Sequence, residues 1–113
     1  MKYSVQNPIL RGFYPDPCMI FVDGTYYVAT STFEYFPGVK ISASEDLANW
    51  RTAAYPLNNL SLLDMRGDVA STGIWAPALS YADGMFWLME TSPCYNGCVA
   101  GAQHAHPNGY LEA

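Results

Sequence analysis

The sequence predicts an all-β fold assembled as part of a β-propeller. Three observations predict it. Two Asp-Gly pairs sit between runs of strand-forming residues, the two segments align with each other, and helix signals are nearly absent. The alignment offset is about 60 residues, longer than common propeller repeats, so the blades carry sizeable loops. The alternative reading of the same hairpins is two unrelated units of a β-sandwich.

The first hairpin runs Cys18-Met19-Ile20-Phe21-Val22, then Asp23-Gly24, then Thr25-Tyr26-Tyr27-Val28-Ala29-Thr30. Asp-Gly accommodates positive φ at both turn positions, which makes it a strong short-range hairpin signal. A third strand follows at 39–44, where apolar and polar residues alternate. The segment from Glu45 to Trp50 reads as a turn whose Leu47 and Trp50 fold back onto the sheet. Residues 56–74 are poor in strand signals and read as a long connection. The second hairpin pairs Ala78–Ala82 with Met85–Glu90 around Asp83-Gly84. The offset places Pro17 on Pro77, Phe21 on Tyr81, and Tyr26-Tyr27 on Phe86-Trp87. The last stretch is turn-rich from Ser92 and ends without a recognisable element. The expected division is a first blade at 1–55, a connection at 56–74, and a second blade at 75–113 that is incomplete and atypical from 92. Two blades cannot close a propeller, so the chain reads as a fragment of a propeller domain, in preference to a unit that assembles with copies of itself.

Composition excludes several classes. Of 113 residues, half are hydrophobic, 15% aromatic and 13% charged, which is the opposite of a disordered chain. No apolar run approaches the roughly 20 residues of a membrane-spanning helix, and the start has no apolar core of signal-peptide length. The net charge of -5 disfavours nucleic acid and acidic membrane surfaces as partners. The three cysteines are an odd count, which argues for a reducing compartment and a cytoplasmic protein. Oligomerisation is not legible in the sequence.

Asp16 is the foremost candidate for chemistry. It lies in Phe13-Tyr14-Pro15-Asp16-Pro17, a carboxylate between two prolines. Each proline fixes its own φ and pushes the preceding residue toward extended geometry, so the carboxylate is expected on a stiff, extended backbone. General bases need such placement; a turn or capping aspartate is the plainer reading. The repeat aligns Asp16 with Ala76 and Pro15 with Trp75, so Asp16 and Trp75 are expected to face one pocket on the propeller axis. A carboxylate beside an indole suits a sugar site, whereas Trp75 as a core residue is the alternative. The aromatic stretch Thr30-Ser31-Thr32-Phe33-Glu34-Tyr35-Phe36-Pro37-Gly38-Val39 offers a binding wall or inter-blade packing. Its Glu34 is a second carboxylate, more simply read as a solvated loop residue. Arg66 between Asp64 and Asp68 offers an orienting guanidinium or, more simply, a surface ion pair. The spacing of Cys94, Cys98, His104 and His106 is not a standard zinc pattern, and no metal or other cofactor is expected.

The segment from Asn7 to Pro17 resembles the opening of glycoside hydrolase family 43, in its β-xylosidase branch. So do Ser31-Thr32-Phe33-Glu34-Tyr35-Phe36-Pro37-Gly38-Val39, Ser44-Glu45-Asp46-Leu47-Ala48-Asn49-Trp50 and Gly73-Ile74-Trp75-Ala76-Pro77-Ala78-Leu79-Ser80-Tyr81. The resemblance runs from about residue 5 to 91. It implies a five-bladed β-propeller, of which about two blades are present. The implied activity releases xylose from the non-reducing end of β-1,4-xylo-oligosaccharides with inversion; many relatives also release α-L-arabinofuranose. It further implies Asp16 as general base, with Phe33 and Trp75 lining the subsite for the terminal sugar. The family's general acid and its third carboxylate fall in later blades, and neither Glu34 nor Glu90 matches the acid motif. The chain alone is therefore expected to be inactive. A non-catalytic sugar-binding module, a remnant of a truncated gene and a propeller hydrolase acting on arabinan are the rival readings.

Overall fold

The computed structural model describes residues 4–91 and the backbone of strand 102–106. Among these residues there are seven strands and no helix. The first sheet is antiparallel in the order β1 (Cys18–Val22), β2 (Thr25–Ser31), β3 (Val39–Ser44), β4 (Arg51–Ala54). The second is β5 (Trp75–Ala82), β6 (Met85–Thr91), β7 (Ala102–His106). These are two successive blades of a partial β-propeller.

Both hairpins close where the Asp-Gly pairs stand. Asp23 and Gly24 have φ of +47° and +83°, and Asp83 and Gly84 have +53° and +75°. Positive φ at both positions matches the right-handed twist of the flanking strands. The repeat is reproduced in the register. Cys18 faces Ala29 and Val22 faces Thr25; Ala78 faces Met89 and Ala82 faces Met85. The third strands differ: Tyr26 faces Ser44, but Phe86 faces His106, two residues past the common offset. An even shift leaves each backbone position on the same side of the pleat, so the longer loop before β7 does not invert the strand.

Three elements depart from expectation. β4 forms where no strand was expected. β5 begins at Trp75, three residues before its predicted start, with a register irregularity between Trp75 and Ala78. β7 occupies part of the tail in which no element was recognisable. The segment Glu45–Trp50 is the expected turn: Leu47 and Trp50 are half-buried, and the Trp50 indole N–H donates to the Leu47 carbonyl at 3.0 Å.

The core lies between the blades. β5 packs across β1 and β2, the Tyr27 and Phe86 rings meet edge-on at 4.9 Å, and the Leu79 N–H donates to Cys18 Sγ at 3.3 Å. Ile41, Ile74, Phe86 and Leu88 are fully buried, each worth about 1.5–3 kcal/mol of transfer free energy. The connection at 56–74 adds buried Leu57 and partly buried Leu63 and Met65 to this core. It is thereby anchored, and it delivers Gly73 and Ile74 to the end of β2.

Candidate functional site

The three candidate residues stand on three segments that meet at the end of β2. The first is the approach to β1. Phe13 is well exposed, and the Tyr14 hydroxyl accepts a hydrogen bond from the Lys40 ammonium at 3.2 Å while that ammonium lies 4.9 Å from the ring centroid. β3 thus holds the segment one residue before Pro15. The Pro15 carbonyl in turn accepts the Ser31 N–H at 3.2 Å.

Asp16 follows immediately and is exposed to solvent. Its backbone is not extended: φ is +51°, in the left-handed region. The expectation from the following proline fails here because the chain must turn between the Pro15 pairing and the start of β1. Aspartate is among the few non-glycine residues that enter this region readily. Ala76, its partner in the repeat, makes the same kink with φ of +33°. Trp75 pairs with Thr91 as Pro15 pairs with Ser31, so the repeat extends through the kink.

The second segment is the aromatic loop. Phe33 has φ of +52° and forms an isolated bridge with Ile74, whose N–H donates to the Phe33 carbonyl at 3.1 Å. Its ring lies 5.6 Å from that of Phe13. The third segment carries Trp75. Trp75 is 44% exposed, and its indole N–H donates to the Ser71 carbonyl at 3.2 Å.

An open cleft of about 660 Å³ is lined by Phe13, Phe33, Glu34, Tyr35 and Ser71. The structure therefore brings Phe33 into a cleft wall, and Trp75 adjoins that wall through Ser71. Asp16 is not a lining residue; it lies three residues after Phe13 on the adjoining strand entrance. Phe13 and Ser31 are the residues sequence reasoning did not single out. The ring pair with Phe33 and the buried hydroxyl of Ser31 have no local signature.

The remaining candidates do not join this cleft, with one exception. Glu34 lines it and is half-buried, not fully solvated. Glu90 is buried on β6. Arg66 makes a two-pronged contact with Asp64, both exposed, and its hydrogen bonds draw the Asp64 carboxyl down to about 2. This is a surface pair of small energetic weight. Cys94 and Cys98 lie outside the described residues, as do the side chains of His104 and His106.

Comparison with known proteins finds relatives for this chain among glycosyl hydrolases. The sequence model of "Glycosyl hydrolases family 43" matches residues 5–113, beyond the residue 91 at which the motif resemblance stops. The chain is 59% identical over 88 residues to a xylosidase/arabinosidase 43B of Humicola insolens, covering 78% of this chain and 16% of that protein. It is 46% identical over 113 residues to a xylan 1,3-beta-xylosidase of Vibrio, covering 100% of this chain and 21% of that one. The crystal structure of a xylan beta-1,4-xylosidase from Bacillus halodurans superposes with a TM-score of 0.86 at 46% identity, covering 96% of this chain and 22% of that chain. The chain thus spans about a fifth of the length of these relatives.

Proposed function

The chain belongs to glycosyl hydrolases family 43, and from that membership we propose that it forms the first two blades of a five-bladed propeller enzyme releasing xylose from the non-reducing end of β-1,4-xylo-oligosaccharides with inversion. Asp16 is the general base. It draws a proton from a water molecule as the water oxygen attacks the anomeric carbon; an acid on a later blade protonates the departing glycosidic oxygen. Inversion needs the two carboxyl groups roughly 6.5–9.5 Å apart, leaving space for that water. Carboxyls on different blades around one axis meet that requirement. Phe33 and Trp75 flank the terminal sugar with apolar faces. The 113-residue chain supplies base and aromatic wall but no acid, so it does not turn over substrate alone.

The observation that carries this reading is the open cleft walled by Phe13, Phe33 and Tyr35 beside the entrance to the Asp16 strand. Flat apolar rings in an open cleft suit a pyranose ring, and exposed Asp16, three residues after Phe13 in the chain, is the carboxylate nearest to that ring in sequence to serve an attacking water. The test grafts this chain in place of the equivalent segment of the Bacillus halodurans enzyme. Asp16→Asn in that chimera is expected to lower turnover of xylobiose about 10²–10⁴-fold, the usual worth of a general base, while calorimetry shows xylobiose still bound. Near-normal turnover by Asp16→Asn would refute the base assignment. Aryl β-D-xyloside and aryl α-L-arabinofuranoside, assayed side by side, decide between xylose and arabinose; the Humicola relative's name carries both. Calorimetry of the 113-residue chain with xylobiose tests the binding-module reading.

A further inference from the structure

We propose that the Ser31 hydroxyl makes Ser31 a positioning residue for this site, fixing the Phe33 and Trp75 segments relative to each other beside the backbone pairing that precedes Asp16. The inference rests on the proposed function.

Ser31 ends β2 and is fully buried. Its three polar contacts each end on or beside a different candidate residue. The backbone N–H donates to the Pro15 carbonyl at 3.2 Å, directly before Asp16. The hydroxyl donates to the Ile74 carbonyl at 2.6 Å, directly before Trp75. The same oxygen accepts the Phe33 N–H at 2.9 Å. A hydroxyl offers one donor and two acceptor sites, so it alone satisfies a carbonyl on one segment and an N–H on another. Alanine would leave both groups without this partner in a buried place.

The segments need such a clamp. Phe33 holds a φ of +52°, a costly state for a bulky non-glycine residue that persists only where surroundings over-determine it. The link also crosses between blades, joining the end of β2 to the start of β5.

The test uses the same chimera with Ser31→Ala, Ser31→Thr and Thr30→Ala. Thr30 is equally buried, but its hydroxyl donates to the Lys40 carbonyl and holds no candidate segment. Thr30→Ala therefore controls for the loss of a buried hydroxyl. Ser31→Ala is expected to lower kcat on an aryl xyloside about 10–100-fold with KM changed less than about threefold, the pattern of an interaction needed chiefly in the transition state. Ser31→Thr, which restores the hydroxyl, is expected to recover kcat to within about threefold of the unsubstituted chimera. Thr30→Ala is expected to keep kcat per folded enzyme. An active chimera in which Ser31→Ala keeps its kcat, or in which Thr30→Ala loses as much, overturns the inference and leaves the proposed function standing. An unsubstituted chimera inactive on both glycosides counts against the function instead. The positioning claim is then decided by the Trp75 indole N–H resonance in labelled chimera: displacement by Ser31→Ala and not by Thr30→Ala supports it, and equal displacement overturns it.

Discussion

Gly73 shows how closely the site segments are fitted. Its φ is +80°, and a Cβ built there would lie 2.1 Å from the Phe33 carbonyl oxygen. Gly84, at a hairpin turn, has a similar φ of +75° but nothing within 4 Å of such a Cβ. Gly84→Ala should cost about 1–2 kcal/mol, the penalty of a left-handed residue with a side chain. Gly73→Ala should cost at least about 1 kcal/mol more, because a backbone carbonyl has no rotamer by which to yield. Urea denaturation of both variants measures the difference; equal midpoints would show that the Phe33 bridge gives way freely. The same backbone logic makes Asp16→Asn the informative substitution. Asparagine tolerates positive φ as aspartate does, so lost turnover would report the charge and not the kink.

The turn between β3 and β4 is held by one carboxylate. Asp46 accepts the Ala48 and Asn49 N–H groups at 2.9 and 2.7 Å, the Asn49 side-chain amide, and the Ser44 hydroxyl. These bonds favour the charged form and hold its carboxyl well below the ordinary 3.8. A pKa depressed in the folded state stabilises above the unfolded value and loses that contribution as pH falls through the folded one. Asp46→Ala should thus lower Tm by a few degrees at neutral pH, and the difference should shrink below about pH 4. Thermal scans from neutral to acid pH check it; a difference that persists unchanged at acid pH would show the carboxylate's charge to be irrelevant. This turn was legible because Leu47 and Trp50 needed somewhere to fold back. β4 was not, since Arg51-Thr52-Ala53-Ala54 is too short and too poor in β-branched residues to signal a strand; its pairing with β3 creates it. The early start of β5 was masked by Pro77, which demotes a strand in sequence but here sits at the register irregularity. The prolines around Asp16 marked the residue and misdescribed its backbone. Ser31 and Phe13 were invisible, because what distinguishes them is partners about 15–45 residues away in the chain.

At the scale of the molecule, the packing of β5 on β1 and β2 predicts that the two blades depend on each other for stability. The radius of gyration is 14.6 Å and the extents are 53 × 32 × 19 Å. A compact domain of this length would have a radius near 13 Å by the usual scaling, so these blades form an elongated slab with little core apart from their shared interface. Phe86 is the key to that interface. It is 1% exposed and packs against Tyr27 of the first blade and Tyr81 of its own, each at 4.9 Å. Truncating a buried phenylalanine costs about 3–5 kcal/mol. A 113-residue domain has on the order of 6–17 kcal/mol in total, and a slab with so much open surface belongs near the lower end. Phe86→Ala should therefore remove about half or more of that stability and lower the denaturation midpoint to match, with both sheets lost together although the substituted residue lies on β6. Far-ultraviolet circular dichroism and Trp50 emission, isolated by replacing Trp75 and Trp87 with phenylalanine, report the whole chain and the first blade separately when followed through denaturation. Coincident transitions would establish that neither blade persists without the other. A first blade that kept its Trp50 signal while the second melted would instead make the blade the unit of folding, and would place the stability of the Asp16 segment in β1–β4 alone.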